Sequence, residues 1–112
     1  MEISVKQIEG TVIVSISGSV DALTANEVTG FLSDQINRGQ KQLIADLSQV
    51  EFMSSAGLRA ILSTIKDSRQ EGGDFRLAAP QPGVEKILRM SGFTSILKTY
   101  PTLEEAVASF KI

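Results

Sequence analysis

The chain has 112 residues with 42% hydrophobic and 21% charged side chains, which suits one globular domain (1–112) and disfavours disorder. Its net charge of −2, with no two adjacent Lys or Arg, gives no electrostatic footprint for nucleic acid or an anionic membrane. With no Cys and no His, disulfides, thiol nucleophiles, zinc–thiolate sites and Ser–His or Cys–His catalytic machinery are all excluded. No apolar run approaches the length of a bilayer span, and MEISVKQIEG lacks a signal-peptide profile, so a cytoplasmic location is expected.

In chain order, ISVKQIEGTVIVSISG alternates apolar and polar residues on both sides of Glu9-Gly10, which predicts a β-hairpin. LTANEVTGFLSDQINRG follows as a helix. Thr24 and Glu27 form a T-x-x-E capping box, Leu23 is placed to staple onto Val28, and Gly39 closes the helix. QLIADLS predicts a short buried strand ending near Asp46. The next helix begins at Ser54-Ser55 and carries Leu58, Ile61, Leu62 and Ile65 on one face, up to Gly72-Gly73. DFRLAAP predicts a fourth strand. Pro82 is suited to the first helical position of a segment closed by Gly92. SILKTY predicts a fifth strand, and Thr102 with Glu105 a second capping box before a terminal helix through Phe110.

The order β-β-α-β-α-β-α-β-α predicts an α/β domain with a small mixed sheet. An antiparallel edge hairpin leads into parallel strands joined by right-handed crossovers, with about four helices.

The start of the second helix differs from the others. The helices at Thr24 and Thr102 place a glutamate near the positive end of the dipole, whereas positions 54 to 58 carry no acid. Either Ser54 or Ser55 serves as N-cap. The uncompensated N–H groups favour an anion, and a phosphoserine there would be stabilised without disturbing the fold. Gly57 gives up a side chain in the first turn, as if something approaches the backbone. Phe52 and Met53 precede the serines as core or as an interaction patch. Asp21, after the hairpin, and Asp46 are both expected at the strand-end edge near Ser55, with turn formation by bonding nearby backbone as the alternative role for each. Neither has a neighbouring carboxylate, so no metal site is expected. The cations Arg59, Lys66 and Arg69 form a solvated face or the rim of a docking surface.

DLSQVEFMSSAGLRAIL resembles the signature of STAS domains, in particular anti-sigma factor antagonists, whose usual form is D-L-S-x-V-x-F-M-D-S-S/T-G-L-G. The resemblance extends to Gly18-Ser19-Val20-Asp21, to Gly72-Gly73, and to Ile87-Leu88 with Ser91-Gly92-Phe93. It implies a regulator, not an enzyme, that takes no cofactor. Its implied partners are a serine kinase that is also the anti-sigma factor, and a PP2C-type phosphatase. The implied phosphorylation site is Ser55, with Ser54 as second candidate. The implied partner-binding residues are Asp21, Phe52, Met53, Ser54, Ala56, Gly57, Leu58 and Arg59. Ser54 stands where the pattern has Asp, Ala56 where it has Ser or Thr, and Arg59 where it has the second Gly. The alternatives are a non-phosphorylated STAS subunit of another partner-switching or lipid-transport complex, and a small nucleotide-binding domain.

Overall fold

The computed structural model describes residues 1–92 and 95–111. Phe93, part of the Ser91-Gly92-Phe93 segment, lies outside the described residues.

The hairpin forms as its alternation demands. Strands β1 (Glu2–Ile8) and β2 (Thr11–Val20) pair antiparallel, with Ile8 opposite Thr11. Glu9 and Gly10 both take positive φ, 51° and 82°, the backbone of a two-residue hairpin turn whose twist matches the strands. Helix α1 (Ala25–Asn37), strand β3 (Gln42–Met53), helix α2 (Ser55–Gln70), strand β4 (Asp74–Ala78), helix α3 (Pro82–Met90), strand β5 (Thr99–Tyr100) and helix α4 (Leu103–Ser109) follow. The sheet order is β1-β2-β3-β4-β5, with β2 to β5 parallel. This is the expected mixed sheet.

Side chains alternate between two cores because strand residues alternate between faces. Val12, Val14, Leu43, Ala45, Phe75 and Leu77 meet α1, α2 and α3 through Val28, Leu32, Ile61, Ile65 and Leu88. Ile13, Ile44 and Ala78 face the other way and meet α4 through Ala106 and Val107. On that side Arg76 is buried, its guanidinium 3.9 Å from the Phe110 ring centroid and bonded to Ser109 Oγ at 2.8 Å. Asp74 gathers Arg76 Nε at 3.0 Å, Arg69 Nε at 3.1 Å and Lys98 Nζ at 3.9 Å, joining the end of α2 to β4. Burial pushes its carboxyl up, but hydrogen bonds from Arg76, Arg69 and the Phe75 N–H outweigh that and hold it below the ordinary aspartate value.

Four expectations are corrected. β3 runs to Met53, so Asp46 lies mid-strand rather than at the strand end. Seven residues at about 3.3 Å each separate it from Met53, too far to share a site with Ser55. Asp46 pairs with Ser15 and Ala78 and accepts the Ser48 N–H at 3.0 Å. Second, the Thr24 side chain makes no cap bond to α1. Third, Leu23 is 91% exposed and staples nothing. Fourth, the fifth strand is only Thr99–Tyr100, shorter than SILKTY suggests. At the other helix ends the reading holds: Thr102 Oγ1 accepts the Glu105 N–H at 3.1 Å, Pro82 opens α3, and Gly39, Gly72 and Gly92 take positive φ after their helices.

Candidate functional site at the start of α2

Three segments meet where β2 and β3 end. Val20 pairs with Met53, and the Val20 carbonyl accepts the Ser54 N–H at 2.8 Å. That bond continues the ladder one residue beyond the strand. Asp21 follows one of its partners in sequence and Ser55 follows the other, so both loops leave the sheet from the same edge.

The Asp21 loop is held by its own side chains. Asp21 Oδ1 accepts the N–H groups of Leu23 at 2.9 Å and Thr24 at 3.2 Å, and its carbonyl accepts the Ala25 N–H at 2.8 Å. Thr24 turns back instead of capping forward: its hydroxyl donates to the Ser19 carbonyl at 3.0 Å and accepts the Asp21 N–H at 2.9 Å. Asp21 thus closes the turn that precedes α1, the turn role read for it, while no side chain among the described residues caps the first-turn N–H groups of α1. Thr24 is a supporting residue that the T-x-x-E pattern assigned to the wrong bond.

Ser54 is the N-cap of α2, with extended backbone; its Oγ accepts the Gly57 N–H at 3.4 Å and its carbonyl accepts the Leu58 N–H at 3.0 Å. Ser55 is therefore the first helical residue. It is exposed, and its hydroxyl makes no hydrogen bond among the described residues. Among the described residues α2 is the one helix with no acid in its first turn: α1 has Glu27, α3 has Glu85, and α4 has Glu104 and Glu105. The positive end of the α2 dipole consequently faces solvent without a fixed counter-charge.

The residues around Ser55 divide into surface and support. Phe52 is 50% exposed, whereas its neighbour Met53 is 2% exposed and belongs to the core. Strand alternation sends the two side chains opposite ways, Phe52 to solvent and Met53 into the core. Gly57 and Leu58 are also buried. A Cβ on Gly57 would lie 2.8 Å from Met53 Cγ and 2.9 Å from both Val20 Cγ1 and the Val20 carbonyl oxygen. The end of β2 thus occupies the space that a side chain at this position would need. Arg59 is exposed and Ala56 half-buried. With Ala22, Asn26, Thr29 and Ser63 they line a shallow groove between α1 and α2. The α1 side of this groove was not foreseen; small residues on two separate helices carry no sequence signal until the helices are packed together.

No helix among the described residues is long and apolar enough to cross a membrane, and no group of three or more His, Cys, Asp or Glu among them is arranged to hold a metal ion.

A mixed sheet whose parallel strands end at an exposed, acid-free helix start defines an α/β domain of the kind expected from the DLSQVEFMSSAGL segment. The STAS domain family model matches residues 2–106, and the chain belongs to that family. BtrV of Bordetella bronchiseptica is 32% identical over 111 residues, covering 99% of this chain and 96% of its own length. The anti-sigma F factor antagonist of Paenibacillus polymyxa is 29% identical over 113 residues, covering 100% and 97%. Among solved structures, an anti-sigma factor antagonist from Mycobacterium paratuberculosis superposes with a TM-score of 0.89 at 29% identity, covering 96% of this chain and 92% of that one.

Proposed function

We propose that this chain is an anti-sigma factor antagonist-like regulator of the cytoplasm. In its unmodified form it binds a serine kinase that is also an anti-sigma factor. Phosphorylation of Ser55 releases it, and a PP2C-type phosphatase restores the binding form. It acts by binding, with no catalytic step or cofactor of its own. The observation that carries this reading is Ser55: an exposed, unengaged hydroxyl at the first residue of the one described helix start lacking an acid.

The switch follows from where charge falls. A phosphate on Ser55 sits at the positive end of α2, where the dipole offsets about 0.3–1 kcal/mol in the free protein. Docked against a partner, the same charge loses its water and has no arranged counter-ion, which costs several kcal/mol. At about 1.4 kcal/mol per tenfold, affinity falls by roughly a hundredfold or more. Exposed Phe52 supplies an apolar anchor, and Arg59 with the rim of the α1–α2 groove frames it.

The test is affinity capture of the protein from its native cells, with intact-mass measurement and phosphopeptide mapping. A captured kinase together with a phosphate on Ser55 supports the proposal. A phosphate on Ser54 moves the switch to the second candidate. A captured partner with no phosphate on either serine favours a constitutive STAS subunit, in which Ser54 is a cap and Ser55 merely the residue after it.

A further inference from the structure

β1 lies at the open edge of the sheet, and its outer backbone groups are set by the hairpin. A two-residue turn makes Ile8 and Thr11 a hydrogen-bonded pair. Antiparallel ladders alternate, so the N–H and C=O groups of Ser4 and Lys6 also point toward β2. Those of Ile3, Val5 and Gln7 point outward from the edge.

We propose that this edge pairs with the same edge of a second copy of the chain, antiparallel, with the two-fold axis at Ser4. The segment Glu2-Ile3-Ser4-Val5-Lys6 matches itself when reversed. About Ser4, Ile3 of one copy lies opposite Val5 of the other, and both are residues whose backbone groups point outward. Each Ile3–Val5 pair can therefore exchange two N–H···O bonds. On the other face of the sheet, Glu2 of each copy lies opposite Lys6 of the other. These are non-hydrogen-bonded positions, where opposing side chains approach most closely.

The side chains are available for this pairing. Glu2 and Lys6 are exposed and form no ion pair within the chain among the described residues. Val5, on the same face as Val14 and the main core, is 41% exposed, while Ile3 packs partly against that core. Pairing would extend the apolar row of Ile3 and Val5 across the axis. Other symmetric registers lose the charge match. An axis at Val5 sets Lys6 opposite Ser4 and Glu2 opposite Ile8, and an axis at Ile3 sets Glu2 opposite Ser4. A lone edge lysine repels foreign strands; with Glu2 at the mirror position, Lys6 selects the chain's own copy.

The interface is smaller than a standard one, so association should be weak. The test is sedimentation equilibrium and amide hydrogen exchange of the full chain, from about 10 µM to about 1 mM protein. The expected result is a rise toward dimer mass. The Ile3 and Val5 amides should slow with concentration, while the Ser4 and Lys6 amides, already bonded to β2, should not change. Glu2→Lys and Lys6→Glu should each weaken self-association by about tenfold or more through like-charge opposition. An equimolar mixture of the two variants should recover it. Both positions are exposed, and melting curves confirm that the variants fold. A monomer at every concentration overturns the proposal. So does a dimer indifferent to both substitutions, or one whose protected amides lie outside β1.

Discussion

The Val20 carbonyl accepts the Ser54 N–H at 2.8 Å, and the same Val20 carbonyl oxygen lies where a Cβ on residue 57 would come within 2.9 Å. One peptide group thus ends the β2–β3 ladder, seats the cap of α2 and forbids a side chain in that helix's first turn. The position of Ser55 relative to the sheet is set by backbone contacts, which leaves its own side chain free to be modified.

Gly57→Ala should destabilise the fold by about 1–3 kcal/mol, although alanine is the better helix former, because the carbonyl it strikes is fixed by its bond to Ser54. Gly30→Ala in α1 is the control: nothing lies within 4 Å of its Cβ, and the change should stabilise by about 0.5–1 kcal/mol. Urea unfolding of both variants measures the two signs. A stabilised Gly57→Ala would show that the contact relaxes freely.

Phosphorylated Ser55 should leave the melting temperature unchanged or slightly raised, since a charge at the α2 start adds at most about 0.3–1 kcal/mol in an exposed setting. Calorimetry against the captured kinase should show roughly a hundredfold weaker binding than for unmodified protein, while Ser55→Ala binds normally. Equal affinities for the modified and unmodified forms would end the switch. A collapsed melting temperature would mean that the phosphate acts by unfolding α2.

Phe52→Ala should weaken partner binding by about tenfold or more while changing stability little, because half of the ring already faces solvent. The buried neighbour behaves oppositely. Met53→Ala should cost about 2–5 kcal/mol of stability through the cavity it leaves, and any effect on binding would follow from that. Paired unfolding and binding measurements separate the two.

Acid should act through Asp74. Its folded-state pKa is depressed below the ordinary 3.8, so its stabilising contribution is complete above that value and is lost as pH falls through the lower folded-state value. Asp74→Asn should therefore lower the melting temperature most near neutral pH, with the gap to the parent narrowing in strong acid. A gap that is constant with pH would assign the loss to packing rather than charge.

The hairpin, the helix ends at Gly39, Gly72 and Gly92, and the edge position of β1 were legible because each rests on local chemistry: period-two alternation, positive φ, a two-residue turn. β3 was read too short because the register of β2 against it shifts between Ser15 and Ser17 and again between Gly18 and Ser19. Beyond Asp46 the segment Ser48-Gln49-Val50-Glu51-Phe52 no longer alternates cleanly, so its strand character appears only in the pairing. At the site, a serine cap at the start of α2 is legible from the Ser54-Ser55 pair and the absence of acids after it, but only the extended backbone of Ser54 decides which serine caps and which opens the helix. The burial of Met53 beside exposed Phe52 was left open, because deciding it requires the strand to continue to that point. Thr24 was misassigned because two hydroxyl geometries compete there, and the choice depends on where the Ser19 carbonyl lies.

The order of strands across the sheet is also their order along the chain, and this bears on how the protein is made. No strand has to slip between two that are already paired. As the polypeptide emerges from the ribosome, the hairpin can close first and each later strand can add at the growing margin. Such vectorial growth keeps each pairing step between consecutive strands, which limits the loop to be closed at each step. α4 comes last, and until it arrives Ile13, Ile44 and Ala78 stay wet. Nascent chains stalled before residue 103 should therefore be the ones that chaperones hold longest.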